Sequence, residues 1–170
     1  MKRSTAVLVT VLVVMAAALA GIGTWWFTRG DEPTPPQISA YSKGRLTHAG
    51  PYMYCDVLDL NECVLTEARG TLTVDARHPV QLSVDSAIGR APWRLLRLYD
   101  DPAEATAKLY SPGSTLAVTV PTVDPQRGPL RGLVVQLLTL VVDRDTGEKF
   151  AVPHAEWALG LQWSRQTAAG

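Results

Sequence analysis

Histidine and cysteine are scarce, with three and two copies among 170 residues. Nucleophilic triads and zinc centres draw on these side chains. None of His48, His78 or His154 stands in a Gly-x-Ser-x-Gly or similar nucleophile setting. His154 and Glu156 share a face at strand spacing, but no third ligand stands near them, so no metal is assigned. P-loops, dinucleotide glycine fingerprints and internal repeats are absent. So is any charge excess: 16 Lys plus Arg balance 16 Asp plus Glu. With the residues through Glu32 set aside, thirteen basic groups face fourteen acidic ones. This balance excludes a footprint for nucleic acid and leaves the body without a basic cluster for anionic lipid. The expectation is a non-enzyme with no catalytic residue, no cofactor and no metal.

What the chain has in abundance is one apolar run. Ala6–Phe27 carries no charge, with Lys2 and Arg3 before it and Arg29 after it. As a helix it measures roughly 33 Å, enough for a hydrocarbon core of ~30 Å. Two readings compete. Ala18-Leu19-Ala20 offers a small-x-small cleavage site, which makes the run a removable signal. Cleavage there leaves Trp25, Trp26 and Phe27 near a free end in water, whereas in an anchor the tryptophans sit at the outer interface. The anchor is the favoured reading. The basic N-terminus then stays cytoplasmic, and the C-terminal body is extracytoplasmic at the plasma membrane. No cysteine follows the run, so a lipobox is excluded.

The organisation expected is an anchor or uncleaved signal over 1–29, a Pro-rich linker over 30–36, a β domain over 37–165 and a disordered tail over 166–170. The linker, GDEPTPP, is extended and semi-rigid because proline fixes φ. Cys55 and Cys63 both fall in the exported part, where a pair is expected to be bridged. Their loop contains Asp56, Asp59, Asn61 and Glu62 but lacks the spacing of a calcium loop.

Alternation of apolar and polar residues marks strands at Ile38–Tyr41, Arg45–His48, Gly70–Val74, Val80–Val84 and Thr115–Val120, the last with Leu116, Val118 and Val120 inward. Trp93, Leu95 and Tyr99 share one face of Ala91–Tyr99. Asp101–Leu109 reads as a short helical crossover opened by Asp101-Pro102, with a bulged strand as the alternative. Leu133–Val142 is apolar on both faces and too short to span a membrane. Asp143–Gly147 turns it into Glu148–Val152, and after Pro153 a terminal strand runs from Ala155 to Trp163. Short strands at this spacing predict an all-β, antiparallel immunoglobulin-like β-sandwich preceded by a single N-terminal transmembrane helix. Trp93 is its expected core tryptophan.

An apolar second face on Leu133–Val142 calls for cover, from Asp101–Leu109, from the cysteine loop or from another protein. The cysteine loop is the favoured cover. Tyr52, Tyr54 and Trp157 are the expected partner surface beside it.

At PYMYCDVLDLNEC, HPVQLSV, APWRLLRLYDD and PHAEW the chain resembles a family of small exported actinobacterial proteins, the domain of unknown function numbered twenty-seven seventy-one. The resemblance covers nearly all of the exported part. It implies an actinobacterial envelope protein with one N-terminal span and carries no activity or site residues. The expected function is a non-catalytic extracytoplasmic binding or interaction module of the cell envelope with a possible envelope protein partner. The alternative is a lipid or glycan carrier or an enzyme accessory subunit.

Overall fold

The computed structural model describes residues 2–28 and 34–164. The expectations for Arg29, for 30–33 of the linker and for the tail over 166–170 lie outside the described residues. The chain divides into two units, Met1–Thr34 and Pro35–Gly170.

The first unit is a helix, α1 (Lys2–Thr28), of 27 residues. Its described side chains are those of Val7, Val9 and residues 11–24; those of Trp25 and Trp26 fall outside. Among the described residues, no helix is long and apolar enough to cross a membrane.

The second unit is built of strands. They are β1 (Ile38–Ser42), β2 (Arg45–Ala49), β3 (Met53–Cys55), β4 (Cys63–Leu65), β5 (Arg69–Val74), β6 (Val80–Val84), β7 (Trp93–Leu98), β8 (Thr106–Tyr110), β9 (Ala117–Val120), β10 (Val123–Asp124), β11 (Gly128–Pro129), β12 (Gly132–Val142) and β13 (Lys149–Trp163). One short helix, α2 (Ser86–Gly89), lies between β6 and β7, where Asp85 caps it by accepting from the Ala87 amide at 2.7 Å. A four-stranded sheet has the order β2-β1-β6-β9. A seven-stranded sheet has the order β4-β3-β13-β12-β7-β8, with β5 also on β13. β3 pairs with β13 at 155–156, and β5 pairs further along the same edge at 158–163.

The period-two pattern explains the core. Ile38, Leu82 and Val120 from the smaller sheet join Trp93, Leu95, Leu133, Val135 and Trp157 from the larger one in a single buried cluster. Trp93 is fully buried, as expected, and stacks on Tyr110 with ring centroids 4.1 Å apart. The turn after β12 also forms as its sequence requires: Gly147 takes φ 71°, and its amide donates to the Asp143 carbonyl at 2.9 Å.

Four features differ from the sequence reading. The sheet is not wholly antiparallel, because β5 runs parallel to β13. Asp101–Leu109 makes no crossover; a 3-10 turn at Pro102–Glu104 leads into β8, which extends the sheet edge beside β7. Pro153 does not divide the last strand. β13 runs through it with a bulge: Leu137 faces Ala155 and Leu138 faces Pro153, so His154 is the extra residue. A bulge is one of the places where a sheet accepts proline. Leu116 precedes β9 and is half-exposed, lying over Gly89, where an added Cβ would collide with its side chain.

Candidate functional site

The outward residues of four adjoining strands meet on the open face of the larger sheet. Trp157, Leu159 and Leu161 point into the core, so Glu156, Ala158 and Gly160 point out. By the same alternation β12 presents Gly132, Val134 and Gln136, β7 presents Arg94, Leu96 and Leu98, and β5 presents Arg69 and Thr71.

Register then assembles a polar row. Gln136 stands opposite Arg94 on one side and Glu156 on the other. Arg94 Nε donates to Gln136 Oε1 at 2.8 Å, and Gln136 Nε2 donates to Glu156 Oε1 at 2.5 Å. The Tyr52 hydroxyl donates to Glu156 Oε2, while the Tyr52 amide donates to the Glu156 carbonyl at 2.9 Å. Gln136 is only 8% exposed. Burial pushes the Glu156 carboxyl above its ordinary value. Arg94 Nε, both ends of the Gln136 amide and both Glu156 oxygens are thus bonded within the row.

Beside the row lies a groove of about 630 Å³, with Gly132, Val134, Ala158 and Gly160 among the residues lining it. Small side chains at paired positions, Gly132 with Gly160 and Val134 with Ala158, make its floor. Tyr52, Arg69 and Thr71 line one side; Leu98, Tyr99 and Pro102 line the other. A Cβ at Gly160 would meet only the Gly70 carbonyl oxygen, at 3.8 Å. The glycine therefore leaves space that a side chain would occupy. Two guanidinium groups stand at the rim. Arg131 is held by Asp100 through contacts of 2.5 and 3.0 Å, and it pulls the Asp100 carboxyl below its ordinary range. Arg69 lies over the Tyr52 ring at 6.0 Å and has no carboxylate partner among the described residues.

Cys55 and Cys63 stand opposite each other in the β3–β4 register and form a disulfide. The β3–β4 hairpin extends the sheet at its edge and does not fold across β12. Cover of the second face of β12 is graded instead: Gln136 and Leu138 are buried, Val134 is intermediate, and Leu140 and Val142 are exposed. The three aromatics expected on one surface separate. Tyr52 lines the groove. Tyr54 is 36% exposed and meets His154 edge-on, with centroids 6.2 Å apart. Trp157 is no surface residue: it is fully buried in the core, and its indole donates to the Pro36 carbonyl at 2.8 Å. Its alternating neighbours Ala155 and Leu159 are inward too, which is the physical reason.

In the cysteine loop the carboxylates serve turns. Asp56 accepts from the Leu58 amide at 2.8 Å and Asp59 from the Asn61 amide at 3.0 Å. Among the described residues no three His, Cys, Asp or Glu side chains gather as a metal set. His154 and Glu156 share no hydrogen bond among the described residues, and the buried His154 Nδ1 has no partner there. Burial lowers the His154 imidazole below its ordinary value, while a backbone hydrogen bond at Cys55 works the other way. Arg69 was not singled out from the sequence, and Glu156 was weighed only with His154 as a metal pair, not as the partner of Gln136 and Tyr52. Gln136 interrupts the most apolar strand, the one local signal that a polar partner awaits it.

Relatives exist in mycobacteria. An uncharacterized protein of Mycobacterium bovis is 56% identical over 161 residues, which cover 95% of this chain and 99% of the relative. Uncharacterized proteins from two strains of Mycobacterium tuberculosis match to the same extent. No solved structure matches significantly. A family profile described as protein of unknown function, DUF2771, matches residues 31–162. With that match, and relatives aligned along nearly its whole length, the chain belongs to the DUF2771 family.

Proposed function

We propose that the chain is a membrane-tethered, extracytoplasmic binding module that holds a small ligand in the groove between β5 and β7 and performs no chemistry on it. The observation that carries this reading is the groove itself. It lies outside a core already filled by Trp93 and Trp157, and its volume of about 630 Å³ falls within the ~300–1,000 Å³ of small-ligand sites. A non-catalytic role is supported by the polar groups beside it, since Arg94, Gln136, Glu156 and Tyr52 bond to one another.

The tether is supported by composition. Ala6–Phe27 carries no charge, and the backbone is helical throughout Lys2–Thr28. Lys2 and Arg3, the more basic flank, support a cytoplasmic N-terminus. The domain is read as immunoglobulin-like: β1-β6-β9 and β13-β12-β7 follow the A-B-E and G-F-C pairings of that fold. The surface left for an envelope protein lies at the disulfide edge, where Tyr54, Leu58 and Val64 are exposed.

Gly160→Leu tests the reading, because the new side chain fills the groove. Native mass spectrometry of full-length protein extracted from its own membrane should find a small molecule on the wild type and not on the folded variant. Equal occupancy of both, or of neither, counts against the groove.

A further inference from the structure

We infer that the groove takes a single acyl chain ending in a carboxylate, with the head group at Arg69 and the chain along the Gly132–Gly160 floor. This rests on the binding reading above and names the ligand class. The floor offers contact without hydrogen bonds. At Ala158–Gly160 β13 is paired on both sides, by β12 and β5, and at Gly132–Val134 β12 is paired on both sides, by β13 and β7. The backbone groups of the floor are thus used within the sheet. A sugar ring laid there loses water from its hydroxyls and finds few partners, whereas a methylene chain gains by burial.

Charge selects the head group. Arg131 is already committed to Asp100, while Arg69 has no carboxylate partner among the described residues. Arg69 is exposed on β5 opposite Ala158, at the groove margin, with the Thr71 side chain next along the same face. A guanidinium fork fits one carboxylate through two parallel hydrogen bonds. The Tyr52 ring beneath Arg69 steadies it in place. One guanidinium fork matches the head group of a fatty carboxylate, and the groove beside it matches a single chain.

The test uses full-length protein in phosphatidylcholine nanodiscs with diazirine-bearing palmitate, its adducts located by peptide mass spectrometry. Adducts should fall on the peptides containing 158–163 and 69–74. Unlabelled palmitate should compete, and maltohexaose and dipalmitoyl phosphatidic acid should not. Arg69→Gln should weaken palmitate by about tenfold, the value of one charged hydrogen bond, and leave hexadecanol unchanged. Gly160→Leu should remove the groove adducts. If that variant melts early, Thr71→Trp, at an exposed strand position of the same groove, takes its place. Adducts confined to other peptides, or equal effects of Arg69→Gln on palmitate and hexadecanol, overturn the inference. Competition by maltohexaose or phosphatidic acid, with palmitate inert, defeats the acyl carboxylate but leaves the binding reading standing. Folded groove variants that change the binding of no probe defeat both.

Discussion

Gln136 and Glu156 face each other across β12 and β13, and the amide of one donates to the carboxylate of the other at 2.5 Å. Through Gln136 the Arg94 guanidinium reaches the same carboxylate. Gln136→Ala leaves both neighbours without this partner at a mostly buried position, and should cost about 1–3 kcal/mol. Urea unfolding of the variant checks the figure; an unchanged midpoint would show that the row adds nothing to stability.

Trp157 and Tyr54 should respond to truncation to very different degrees. Trp157→Ala empties a fully buried site and removes the bond to Pro36, for about 3–5 kcal/mol. Tyr54→Ala acts on a partly exposed edge residue and should cost less than about 1 kcal/mol. Paired melting curves decide, and similar losses would place Tyr54 in the core network.

How legible were these elements beforehand? β12 follows from the length and flanks of an apolar run, the turn at Gly147 from turn chemistry and the shared face of Trp93 and Leu95 from alternation, all of them local properties. Trp157 shows the limit. Its strand was recognised, yet its face depends on which side of β13 meets the other sheet. The groove was illegible for a related reason: β5, β7, β12 and β13 each contribute one or two outward residues, and only the parallel β5–β13 pairing brings Arg69 to Ala158. The bulge at His154 was hidden by Pro153, which in isolation marks an end to a strand.

The disulfide closes a short hairpin at the sheet edge. Replacing both Cys55 and Cys63 by serine should cost about 2–3 kcal/mol. Unreduced wild-type protein should take up no thiol label. Labelling of both cysteines before reduction would contradict the bridge.

His154 makes stability depend on pH. Its imidazole titrates below its ordinary value in the folded protein, so between that lowered value and about 6.5 the unfolded chain binds more protons. Stability should therefore fall as pH drops below about 6.5. Glu156, raised by burial, works in the opposite sense at more acid pH: it favours the folded state as pH falls toward the ordinary carboxyl range. Melting temperatures at pH 7.5 and 5.5 should differ less in His154→Gln than in the wild type. An identical difference would remove His154 as the cause.

The proposed tether has a direct measure. Full-length protein should stay with membranes through a carbonate wash and keep Met1–Phe27. A mature N-terminus at Gly21 would instead establish a cleaved signal.

β13 is the last strand among the described residues, yet it sits inside the larger sheet, with β12 on one edge and β3 and β5 on the other. The bond from Trp157 to Pro36 joins positions 121 residues apart. Loops of that length close slowly, and their closure precedes any gain from the contacts they make. The sheet cannot therefore be completed while the C-terminal segment is still being synthesised. A chain whose central piece arrives last leaves synthesis with its sandwich still open, and the two sheets close only once the final strand is free.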